Sequence, residues 1–168
     1  MRLKEIPEPA RERAKYVALD GLGCGVYGAT LPWSKILTDT VVSLGGSGPS
    51  TAWGTNLTMP ADQAALLNGS FTQGFELDDY HVDGALHSCA NVLPAALGSA
   101  DVAGCPTTGE SMLAAIVAGF EVGVRVGQCM NASLILKRGW HSGSIYATFA
   151  AAAAGGRVLG IDPAQMAH

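Results

Sequence analysis
Apolar positions along this chain recur mostly at helical spacing, with proline and glycine marking where one run gives way to the next. Pro7 and Pro9 stand where a helix can begin, and Glu8, Arg11, Glu12, Arg13 and Lys15 charge its first half. From Tyr16 the pattern turns apolar and small through Val17, Ala18, Leu19, Leu22, Val26 and Tyr27. One helix is expected over about residues 9–29, amphipathic first and buried later, its glycines permitting close helix contact and Pro32 ending it. Ser34 is expected to cap a second helix to Leu44, followed by a loop at 45–49 and a short extended piece at 50–55. A third helix of small residues is expected over 60–75, then others over 92–103, 108–130 and 142–159. The last carries five consecutive alanines, Ala150 to Ala154, and then two glycines. A helix that bare of large side chains must pack tightly to bury much at all. Asp162, Pro163 and Gln165 look like an N-cap, a first-turn proline and a new helix start. The fold class is all-α, a packed helical bundle.

Composition sharpens this picture. The 168 residues suffice for one domain and a sizeable core. Hydrophobic residues make up 48% and charged residues only 14%, with a mean hydropathy of +0.25. That excludes a disordered chain and suggests that some surface is covered by a partner subunit or a further part of the same protein. A net charge of −4 and no run of Lys or Arg argue against nucleic-acid binding. No segment reaches roughly eighteen consecutive apolar residues, so no membrane span is predicted. The N-terminus lacks the apolar run of a signal peptide, and Cys24, Cys89, Cys105 and Cys129 form no CxxC pair. These features fit reduced thiols in a cytoplasmic compartment.

Two segments could carry chemistry. Glu76, Asp78, Asp79, Tyr80, His81, Asp83 and His87 fall where helical periodicity breaks, in a chain otherwise poor in charge. Nothing in the helical pattern requires charges there, and loops set by a rigid scaffold often hold catalytic groups. A solvated acidic loop is the plain alternative. His and Asp are also metal-ligand types, but no spacing here is diagnostic. The second segment is Lys137, Arg138, Gly139, Trp140 and His141, followed by Ser142 at the start of the alanine-rich helix. Ser142 or its neighbours would cap that helix, and its first-turn amides with Lys137 and Arg138 would suit a carboxylate. His141 could serve as acid or base, although a lone histidine there is more often a packing residue. Gly23, Gly25 and Gly28 match GxGxxG, but a helical stretch precedes them, so nucleotide binding is set aside.

Several blocks carry a family resemblance. They are Leu67-Asn68-Gly69-Ser70-Phe71, Glu76-Leu77-Asp78-Asp79-Tyr80-His81, His87-Ser88-Cys89-Ala90-Asn91 and Arg138-Gly139-Trp140-His141 with the alanine run after it. In this order, and with the first helix from Ile6 to Gly23, the chain resembles the MmgE/PrpD family. The resemblance implies a helical domain accompanied by a smaller α/β lid domain not contained in residues 1–168, and dimers that need no cofactor. It further implies acid–base chemistry on small di- or tricarboxylic acids, by dehydration, decarboxylation or epimerisation, in cytosolic or mitochondrial proteins. His87, His141 and Asp78 are then the implied catalytic groups. Glu76, Asp79, Tyr80, Lys137 and Arg138 are the implied substrate contacts. Glu76 stands where many members have Asp, and Tyr80 where many have Thr. With the lid groups missing, activity is expected to be impaired. A non-catalytic dimerising or regulatory module derived from the family is the alternative, and a metal-dependent hydrolase a third possibility.

Overall fold
Proline shapes four of the helix starts, because its fixed φ suits a first turn and its missing N–H costs nothing there. Pro7 precedes α1 (Glu8–Gly28), Pro32 opens α2 (Pro32–Ser43), Pro60 precedes α3 (Ala61–Gln73) and Pro163 opens α8 (Pro163–Met166). The remaining helices are α4 (Cys89–Val102), α5 (Gly109–Cys129), α6 (Ala132–Lys137) and α7 (Ser142–Leu159). A 3-10 turn over Leu3–Glu5 precedes them, and β1 (Ser50–Thr51) pairs antiparallel with β2 (Thr58–Met59), Ser50 opposite Met59. The computed structural model describes residues 2–104 and 106–168, so Cys105 lies outside the described residues. The chain is a mainly helical domain, as the periodicity predicts.

Several boundaries differ from the sequence expectation. Pro32 begins α2 rather than merely ending α1, and Ser34 is buried inside α2 instead of capping it. The extended piece is a two-residue strand, and its partner β2 falls outside the predicted segment. Asn68 on α3 holds this region, accepting from Trp53 N at 2.8 Å and donating to Thr51 O at 2.9 Å. Helix α6 was not expected; Asn131, left-handed at φ +52°, starts it with its side chain accepting from Leu134 N. Helix α8 begins as predicted, with Asp162 Oδ1 accepting from Ala164 N at 2.8 Å and Gln165 N at 2.9 Å.

The core is built by close approach of small residues. Helix α7 buries Ala147, Ala150, Ala154, Gly155 and Gly156, and makes its most extensive contacts with α5 and α4. Gly119, Gly123 and Gly127 form the facing stripe on α5. A methyl at Gly123 would stand 2.7 Å from Ala150 Cβ, and one at Gly127 would stand 2.4 Å from Gly84 O. Beyond α4 the layers continue through α3 to α1. Gly25 and Gly28 of the GxGxxG run lie in the last turn of α1 as packing residues, with Gly28 against the Phe71 carbonyl. Helix α5 is long and apolar enough to cross a membrane by length and composition alone, but its glycine stripe is packed on α7 and its outer side carries the Glu121–Arg125 pair.

Two neighbouring glycines of α1 should therefore respond oppositely. A methyl at Gly28 would lie 1.9 Å from Phe71 O, whereas one at Gly23 meets nothing within 4 Å. Gly28→Ala should cost about 3 kcal/mol, and Gly23→Ala should stabilise by about 0.5–1 kcal/mol, as read by urea unfolding.

Candidate functional site
Between α3 and α4 the chain has no regular structure beyond a bridge joining His81 to Leu86, yet it is held firmly. Tyr146 of α7, fully buried, reaches Gly84 O at 2.6 Å and Ala85 O at 3.1 Å through its hydroxyl. The Asp79 carboxylate accepts from Cys89 N at 2.7 Å and Ser88 N at 3.3 Å. Asp79 therefore caps α4 from nine residues away, while Ser88, the residue at the N-cap position, gives no side-chain bond. This explains why α4 starts at Cys89, three residues before the expected Val92. A remote carboxylate satisfies amides that no local residue caps.

With the loop fixed, His87 is set between two carboxylates. Its Nδ1 lies 2.9 Å from Asp78 Oδ1 and its Nε2 lies 3.2 Å from Glu76 Oε2. The Asp78 side chain is wholly out of solvent, His87 is largely covered, and Glu76 is 66% exposed. Glu76 is held in the left-handed region, at φ +58°, where a non-glycine residue carries strain of about 1 kcal/mol. The Tyr80 ring covers His87 at 4.9 Å between centroids. Nδ1 and Asp78 Oδ1 form a hydrogen bond, whereas Nε2 and Glu76 make an ion pair only when the imidazole carries a second proton. Burial pushes the Asp78 carboxyl up to about 6, with Asp79 adding to the rise and the His87 charge opposing it. Burial also raises Asp79, against the two amide bonds that favour its charge.

Glu76 lies in the wall of a cleft of about 780 Å³, with Trp33, Gln73, Asn91, His141 and Ser144. That is the size of a small-molecule site. Asn91, Gln73, Ser144 and Trp33 escaped the sequence reading, although Asn91 sits in the His87 block and donates to the His87 carbonyl at 3.2 Å. His141 is the N-cap residue of α7 without a side-chain cap bond, and Ser142 is buried in the first turn rather than capping it. Neither His141 nor Ser142 caps the first-turn amides of α7, which lie beside the cleft wall formed by His141, Gly143 and Ser144. Lys137 and Arg138, at the end of α6, are exposed and are not among the cleft residues. Asp79 has both oxygens engaged by α4. Among the described residues, no three His, Cys, Asp or Glu side chains are arranged to hold a metal ion.

Fold and site together define a helical domain in which a buried Asp78–His87 pair meets Glu76 in the wall of an open cleft. The sequence model of the MmgE/PrpD N-terminal domain matches residues 1–168, and the chain belongs to that family. It is 40% identical over 164 residues to the cis-aconitate decarboxylase-like protein oryM of Aspergillus oryzae, covering 95% of this chain and 34% of the relative. It is 38% identical over 165 residues to the cis-aconitate decarboxylase of Aspergillus terreus (96% and 34%), and 29% identical over 155 residues to that of Homo sapiens (90% and 32%). The chain thus spans about a third of the length of these curated relatives.

The raised Asp78 carboxyl has a consequence for stability. Between its ordinary value of 3.8 and about 6 the folded chain binds more protons than the unfolded one, so Asp78 makes stability fall as pH rises through that window. Asp78→Asn removes this titration and keeps an acceptor for His87. Stability of the parent relative to Asp78→Asn should drop by on the order of 2–3 kcal/mol from pH 4 to pH 7, then level off, in urea unfolding.

Proposed function
We propose that this domain contributes the proton-transfer half of a lyase acting on small di- or tricarboxylic acids, with cis-aconitate-type decarboxylation the leading case. The arrangement that supports this is the buried Asp78 bonded to His87, whose other nitrogen meets Glu76 in the cleft that His141 also lines. Decarboxylation breaks a carbon–carboxylate bond and leaves its electron pair on carbon, which an acid must then protonate. Dehydration instead needs a base for a carbon-bound proton and an acid for the departing hydroxyl. Asp78, His87 and Glu76 hold the proton inventory that either reaction uses, and His141 offers a second proton carrier across the cleft. Substrate carboxylates are met by the uncapped first-turn amides of α7, with Lys137 and Arg138 adding positive potential rather than direct contact. Tyr80 covers the imidazole and keeps water from it, and Asp79 acts by positioning. No resident cofactor is invoked for these steps, and the whole protein works as a dimer.

A non-catalytic, self-associating or regulatory module is the second reading. It is favoured by Tyr16, Leu19, Val26 and Tyr27, which share one exposed face of α1, and by Ile36 and Leu44 in and just after α2.

Proton NMR of the chain in D2O with cis-aconitate, together with thermal melts, separates the two. Cis-aconitate should raise the melting temperature in a dose-dependent way and lose carbon-bound proton signal through exchange or turnover. His87→Gln and His141→Gln should each slow the proton chemistry by roughly a hundredfold or more while melting cooperatively. Unchanged rates in both variants would overturn the assignment. Concentration-dependent association with no response to any tricarboxylate would establish the module instead.

A further inference from the structure
Away from this cleft, a polar cavity of about 480 Å³ opens where the N-terminal turn and the starts of α1 and α5 meet the end of α7. Four of the chain's ten lysines and arginines line it: Arg2, Lys4, Arg11 and Arg157. In a chain of net charge −4, that concentration is not an average piece of surface. Some of the cationic donors are used locally. Arg2 Nε donates to Glu5 at 2.7 Å, Arg11 Nη2 pairs with Glu8, and Arg157 Nη1 reaches Ser111 Oγ at 3.5 Å. Others are left over. Lys4 makes no hydrogen bond or ion pair among the described residues. The Arg11 Nε–H is shut off from solvent and lies behind the cavity surface, so Arg11 meets the cavity through the rest of its guanidinium. Thr108 and Ser111, at the positive end of α5, complete the wall.

We propose that this cavity binds a phosphate group, as a second site independent of the His87 chemistry. Its guanidinium and ammonium donors come from separate segments. Such a set suits a tetrahedral oxyanion with acceptors on every side better than a planar carboxylate with two. Glu110, in the same wall, supplies an acceptor that fits a hydroxyl next to the phosphate, as in a monoester of a hydroxylated metabolite. Because the lining residues come from near both ends of the chain, the bound anion ties the N-terminal turn and the end of α7 onto α5, so binding also stabilises the fold.

Equilibrium binding of inorganic phosphate and of glycerol 3-phosphate, at constant ionic strength set with chloride, tests this. One saturable site per chain is expected. Lys4→Gln and Arg11→Gln should each weaken binding about tenfold or more, and Arg125→Gln, elsewhere on α5, should leave it unchanged. Tighter binding of glycerol 3-phosphate assigns a phosphorylated metabolite as the occupant, and equal affinity assigns free phosphate. No saturable binding would overturn the site, as would parental affinity in Lys4→Gln or an equal loss in Arg125→Gln. Lys4 is exposed and makes no contact that folding needs, so its variant keeps the test decisive if Arg11→Gln does not fold.

Discussion
The carboxylate of Asp79, clamped on the first amides of α4, is the contact on which the functional part of this domain depends. A helix N-terminus offers unsatisfied N–H groups and partial positive charge, and a carboxylate satisfies both. Here the carboxylate arrives from the far end of an irregular loop, so the same bond that caps α4 also closes the loop. His87 lies just before the capped turn and Asp78 just before the capping residue. Their contact at 2.9 Å is therefore set by the cap rather than by chance proximity of two mobile side chains.

The second constraint is close packing among α4, α5 and α7. Alanine and glycine supply little apolar area per residue, so these helices gain stability only by approaching until backbones nearly touch. The Gly119–Gly123–Gly127 stripe and the Ala147–Ala150–Ala154 face make that approach possible. The packing also serves the site. Tyr146 leaves the α7 face to hold Gly84 and Ala85, and Gly127 leaves room for the Gly84 carbonyl. Loop, cap and helix packing thus form one unit, and the raised Asp78 carboxyl follows from it, because a group sealed this way loses the water that would stabilise its charge.

Pro94 shows how the scaffold spends a local defect. A proline within α4 cannot donate to Ala90 O, which would otherwise be left unpaired in the helix. That carbonyl faces Gly69 of α3, where a methyl would stand 2.6 Å from it, so the helices meet at the freed oxygen. Gly69, Ala90, Asn91 and Pro94 all line the cleft, and the break in the ladder lies in its wall.

Much of the domain was legible in the sequence because its signals are local. Pro7, Pro9, Pro163 and Asp162 mark helix starts through their own backbone and side chains, and the bareness of Ala150–Ala154 demanded close neighbours. The acidic run stood out because charge is scarce, and the blocks around Asp78, His87 and His141 carried the family resemblance. What the sequence could not set was every bond between distant residues. It made Asp79 a substrate contact beside a catalytic Asp78, whereas folding bonds Asp78 to His87 and engages both Asp79 oxygens with amides at the start of α4. It grouped Lys137 and Arg138 with His141, whereas α6 turns them to solvent outside the cleft. It scattered Arg2, Lys4, Arg11 and Arg157 along the chain, whereas the packing of α1, α5 and α7 gathers them around one cavity. Helical periodicity fixes which face of a segment is buried, since that depends on neighbours a turn away. The partners of a charged side chain depend on where remote segments arrive, and only the tertiary structure decides that.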